Sequence, residues 1–109
     1  MVETTYKNAG LRDCLSNIYN ATAALKAAAV ERDSDVILSL QHAAEALPPY
    51  AEAAQVAGAF DAQTAAFVRI GCLADLIDEV NLDVDDQLLH AASVLLHLAN
   101  EQLVVPEPA

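Results

Sequence analysis

The sequence predicts an all-α protein, a four-helix bundle, on three observations. Alanine dominates an apolar fraction of 55%, and alanine favours helix because it loses no side-chain entropy there. Only three glycines and four prolines punctuate the 109 residues, which is too few for the turns of a sheet. Large apolar residues recur at intervals of three and four, the period of one helical face, whereas β-branched and aromatic residues do not alternate. The length suits a single domain with one hydrophobic core, residues 1–109, with frayed tails at 1–9 and 104–109.

Each element follows from its own signals. Residues 1–9 read as a polar lead-in, and Gly10 marks the approach to the first helix. The first seam is Leu11, Leu15, Ile18, Thr22, Leu25 and Ala29. The run Glu31-Arg32-Asp33-Ser34-Asp35 breaks it, and Asp33 or Ser34 suits the cap of the second helix, because either side chain accepts from free N–H groups. The second helix carries Val36, Leu40, Ala43 and Leu47. Pro48-Pro49 ends or sharply bends it, since proline lacks the donor and clashes with the preceding turn. Tyr50 to Val56 has the composition of a short extra helix, closed by Gly58. Asp61 is placed to cap the third helix, about Ala62 to Val80, with the seam Ala66, Ile70, Leu73, Ile77 and Val80. Gly71 lies inside that helix at a cost of roughly 1 kcal/mol against alanine, which a close helix crossing would explain. Asn81 to Asp86 reads as the connection, with Asp85 or Asp86 starting the fourth helix, which ends near Leu103.

The fourth helix is apolar around most of its circumference, with a narrow polar stripe of His90, Ser93, His97 and Asn100. Such a helix must be covered on nearly every side. A second copy of the chain would cover it, so the sequence predicts a homodimer with Leu88, Leu89, Ala92, Leu95, Leu96 and Ala99 at a dimer or partner interface. A weak internal echo relates Gln41–Leu47 to Leu89–Leu95. Convergence between alanine-rich helices explains it more simply than duplication of a hairpin.

Charge excludes some function classes. The formal net charge is −11, with five basic residues against sixteen acidic. Binding a nucleic-acid backbone or an anionic membrane needs clustered Lys and Arg, which the chain lacks. A basic protein partner fits, including one that normally holds nucleic acid, such as a transcription regulator. The N-terminal segment Met1 to Tyr6 has no signal-peptide pattern, and no apolar run is long enough to span a membrane. The expected setting is therefore the reducing cytoplasm, with Cys14 and Cys72 as free, buried structural thiols.

Six acids, Asp75, Asp78, Glu79, Asp83, Asp85 and Asp86, fall within twelve residues without a base among them. Residues 61–109 carry a net charge of −8 and residues 1–60 a net of −3. This polarised surface is the candidate partner-binding site; a solvated turn is the plainer alternative. Read as a calcium loop from Asn81, it fails, because Asp86 stands where glycine is needed and Ala92 where glutamate is needed. A divalent-metal hydrolase needs acidic motifs converging from two helices, and the first two helices offer none. His90 and His97 lie about 10 Å apart along one helix, too far to share an ion unaided, and His42 is on another helix. No metal site, cofactor or catalytic residue is expected.

The composition is similar in physical type to that of bacterial anti-activators and phage-encoded inhibitors of defence complexes. The expected function is a non-catalytic protein that binds and regulates or inhibits a protein partner. It would act by acidic mimicry of nucleic acid or by docking helices at a dimerisation surface. A self-assembling structural bundle is the first alternative and a divalent-metal-dependent hydrolase on the acidic helix the second.

Overall fold

A computed structural model describes residues 2–56 and 58–103, with side chains from Gly10 onward. The protein is an all-α bundle of four long helices and one short one. They are α1 (Val2–Arg32), α2 (Asp35–Glu45), α3 (Pro48–Ala53), α4 (Phe60–Val84) and α5 (Gln87–Gln102). The bundle measures 47 × 23 × 18 Å, and α1 alone runs its length at about 1.5 Å per residue. Residues 2–9 belong to α1, so the helix starts well before Gly10. Residues 104–109 lie outside the described residues. No described helix is long and apolar enough to cross a membrane.

Two tight hairpins build the bundle. At the first, Asp33 adopts a left-handed conformation (φ 49°). The N–H of Ser34 returns to the carbonyl of Ala29 at 3.3 Å, a bond that satisfies one of the free carbonyls of α1. Ser34 then caps α2, its hydroxyl accepting from the Ile37 N–H. At the second hairpin Asp85 is left-handed (φ 51°) and its N–H returns to the Asn81 carbonyl. Asp86 caps α5 by accepting from the Leu88 N–H at 2.7 Å. Aspartate tolerates this backbone better than most residues other than glycine. The α4–α5 connection is thus much shorter than the segment from Asn81 to Asp86, because α4 continues to Val84.

The hairpins pack so that α1 lies against α2 and α5, and α4 lies against α5 and the α2–α3 segment. Neighbouring helices run antiparallel. Asn17 donates to Gln102 at 2.6 Å near one end of the α1–α5 pair, and Arg32 pairs with Asp86 at the other. Pro48 and Pro49 break the second column and open α3, where a missing N–H costs nothing because first-turn donors are free in any case. Gly58, at φ 83°, turns the chain into α4. Gln63 is buried there and donates to the Val56 carbonyl at 3.0 Å, closing the loop. Asp61 lies in the first turn of α4 and does not cap it; the N-cap position is Ala59.

The core seams have the expected period but not always the expected phase. In α4 the buried residues are Gln63, Ala66, Ile70, Leu73, Ala74 and Ile77, with Val80 partly buried. In α1 they are Ile18, Leu25 and Ala29 of the expected seam together with Cys14, Ala21 and Ala28, while Leu11 and Leu15 only flank the core. In α2 they are Ile37, Leu40 and Ala44, followed by buried Leu47 just beyond its end, and Val36 and Ala43 are exposed. Gly71 sits at a close α4–α5 approach, where an added Cβ would come within 3.3 Å of Asn100 Nδ2.

Candidate functional site

The second half of the chain places most of its acids outward. Asp75, Asp78, Glu79, Asp83 and Asp85 are exposed. Asp78 and Glu79 are not at the negative pole of their helix, since α4 extends past them to Val84. Asp86 departs from the expectation for an acidic docking surface. It is only 7% exposed and is bound to Arg32 and to the first turn of α5. The Arg32 guanidinium beside it, and the backbone N–H groups of Leu88 and Leu89, hold its carboxyl below the usual carboxylate range. It is a structural residue: a cap and a tie between α1 and α5.

The apolar set expected at an interface also divides. Leu89, Ala92, Leu96 and Ala99 are fully buried inside the bundle. They cannot form a docking surface, because α1 and α4 of the same chain already cover them. Leu88 and Leu95 are partly buried against the same core. The apolar breadth of α5 is thus met within one chain, and the requirement for a second copy falls away. The residues α5 leaves exposed are Val94 and Leu98 among the large apolar ones.

Two features of α4 were not legible as pairs. The first is an open cleft of about 760 Å³ between α2, α3 and α4. Ala43, Ala46, Leu47 and Tyr50 form one wall, and Ala65, Val68, Cys72 and Leu73 form much of the other. The Arg69 guanidinium lies 4.4 Å from the centre of the Tyr50 ring, a stacked geometry that suits a cation on an aromatic face. Along the outer face of α4 the exposed residues Val68, Cys72, Asp75, Glu79 and Asp83 follow one another at helical spacing. Leu76, 51% exposed, adjoins this stripe. Alkyl surface and carboxylates therefore share one accessible helix face.

The second feature joins α4 to α5. His97 Nε2 lies 3.3 Å from Asp78 Oδ2 and 3.9 Å from Asp75 Oδ1. The sequence pattern sets His97 in a polar stripe and the two aspartates in an acidic surface, and nothing in it connects them. Ser93, 2% exposed, has the largest part in holding the Asp78 carboxyl below its ordinary range; burial opposes it, and His97 adds to the lowering. His42 is remote from this group and faces Glu45 at 3.5 Å.

The two thiols differ. Cys14 is buried in the core, and burial pushes its thiol up to about 11. Cys72 is exposed and lines the cleft, against the expectation that both thiols are buried. No family model, curated protein or solved structure matches the chain.

Proposed function

We propose that this protein is a non-catalytic binding protein that regulates a protein partner by seating a basic amphipathic helix along α4 and in the α2–α4 cleft. One observation carries the reading. The cleft is lined largely by alkyl groups, Val68 among them, and the exposed stripe of α4 that carries Val68 continues beyond the cleft through Leu76, both more than half exposed, beside Asp75, Glu79 and Asp83. A helix whose apolar stripe is flanked by Lys and Arg matches such a surface in both respects, with apolar anchors at helical spacing and complementary charge at the rim. The net charge of −11 steers a basic partner toward it. An inhibitor or anti-activator would work this way by occupying a helix that its partner needs for dimerisation or for nucleic-acid binding.

The test is affinity capture of the tagged protein from its native cell, at low and high salt. A photo-crosslinker replaces Val68, and two variants run alongside. Val68→Asp with Leu76→Asp should abolish capture, and Glu79→Gln with Asp83→Asn should weaken it chiefly at low salt. The cross-linked partner peptide should be a Lys/Arg-rich amphipathic segment. A partner retained equally by all variants would refute the cleft as the docking site. Recovery of the protein alone would favour the self-assembling bundle.

A further inference from the structure

We infer that Asp75, Asp78 and His97 form a site for one divalent first-row transition-metal ion, of the zinc and cobalt class, bridging α4 and α5. This does not rest on the partner-binding reading, and no residue varied in that test is a ligand here.

The geometry is that of a coordination shell. One donor atom from each residue lies within 4.8 Å of the other two. A zinc or cobalt ion with ligand bonds of about 2.0–2.1 Å sets its donors roughly 3.0–3.4 Å apart, with wider pairs where donors oppose across an octahedron. The spacing of 3.3 Å from His97 to Asp78 already has this value, and the 3.9 Å spacing to Asp75 needs only a small side-chain rotation. The ligands come from two elements, and the donor set is mixed. An imidazole with two carboxylates selects borderline transition ions, whereas magnesium and calcium favour oxygen donors throughout.

Charge and support point the same way. Among the described residues, neither Asp75 nor Asp78 has a Lys or Arg partner; His97 is the group that faces both. Two carboxylates thus converge on a single neutralising group, in a chain that is already strongly acidic. The scaffold beneath them is fixed. Gly71 and Asn100 bring α4 and α5 into close contact a short way along the same seam. The outer side of the three residues is open, leaving the remaining coordination positions to water.

The experiment is a titration of the metal-stripped full chain with Co²⁺ and Zn²⁺, followed by calorimetry and, for Co²⁺, by visible absorption and shifted imidazole proton resonances. A Cys72→Ser background removes the exposed thiol as a competing ligand. One equivalent of metal should bind, with the imidazole signal assigned to His97. His97→Ala and, separately, Asp75→Asn should each weaken binding at least about tenfold, while circular dichroism shows the fold intact. Magnesium should not compete. Stoichiometric binding unchanged in both variants would overturn the site, as would the absence of saturable binding in the Cys72→Ser protein. The Asp75→Asn variant keeps the inference testable if His97→Ala fails to fold.

Discussion

At the scale of single residues, two cysteines show how position decides chemistry. Cys14 is part of the α1 seam, fully buried between turns of small residues. Its thiol is raised to about 11, because a thiolate there would be a charge without solvent. The raised folded value means that the native state retains the proton more tightly than the unfolded chain. The associated stability is complete below the ordinary thiol range near 9 and is lost as pH climbs toward 11. Cys72 has the same local sequence context, a leucine following it on a helix, yet it faces the cleft. A chromogenic thiol reagent at pH 8 should therefore label one cysteine in the native protein and two in denaturant. Rapid labelling of both in native buffer would show that the α1 seam is not packed as described. The sequence alone predicted two buried thiols because free cysteine is usually buried. Nothing near Cys72 in the chain reveals that α2 and α4 part at that level.

At the scale of elements, the sequence was most informative where core residues are large and least where they are alanine. The α4 seam was legible but for fully buried Ala74, since Ile70, Leu73 and Ile77 leave no choice of face. In α1 the true seam alternates Cys14, Ala21 and Ala28 with Ile18 and Leu25. Leu15, one position after Cys14, outweighed the small residue and moved the expected seam to Thr22 and Ala29 in place of Ala21 and Ala28, although Ala29 is itself buried. Small residues in that seam let the helices approach closely, a benefit that hydrophobicity does not record. The hairpin caps carry a regularity of the same kind. Counting from Ser34, the second column buries the apolar residues Ile37, Leu40, Ala44 and Leu47; counting from Asp86, α5 buries the apolar residues Leu89, Ala92, Leu96 and Ala99, at identical offsets. The sequence echo between Gln41–Leu47 and Leu89–Leu95 is one turn out of step with this correspondence, which supports convergence over duplication. The same register sets His97 opposite Asp75 and Asp78, and it becomes legible only once the turn is known to be Asp85-Asp86. Burial along α5 also ranks its substitutions. Leu96→Asp should unfold the protein, because an unpaired charge at a fully buried site costs several kcal/mol against a total of roughly 5–15. Val94→Asp, at a site 49% exposed, should leave the unfolding midpoint in urea nearly unchanged. Equal losses from the two would reject the orientation of α5.

At the scale of the whole molecule, opposing electrostatic effects set the dependence on pH. A net charge of −11 on so small a bundle repels itself, and at neutral pH that repulsion lowers stability. Salt screens exposed charges beyond about 10 Å at 0.1 M, so added sodium chloride should raise the melting temperature at pH 7. Mild acid should do the same, because proton uptake lowers the net negative charge and with it the repulsion. The gain cannot continue. Asp86 and Asp78 are held below the usual carboxylate range by Arg32 and by Ser93 with His97. For carboxyls depressed in the folded state, the stabilisation is complete above the unfolded value near 4 and is lost as pH falls through the lower folded value. Asp86 matters more of the two, because its protonation loosens the tie that joins the end of α1 to the start of α5. The melting temperature should therefore rise from pH 8 to a maximum at about pH 5–6, above the ordinary carboxylate range, and fall steeply below about pH 4. Calorimetric scans across that range at two salt concentrations test this directly. Asp86→Asn should lower the maximum and flatten the acid limb, because the cap survives in part while the ion pair is gone. A curve that falls steadily from pH 8 to 5, or an acid limb untouched by Asp86→Asn, would mean that self-repulsion and the Arg32–Asp86 pair do not govern the stability of this bundle.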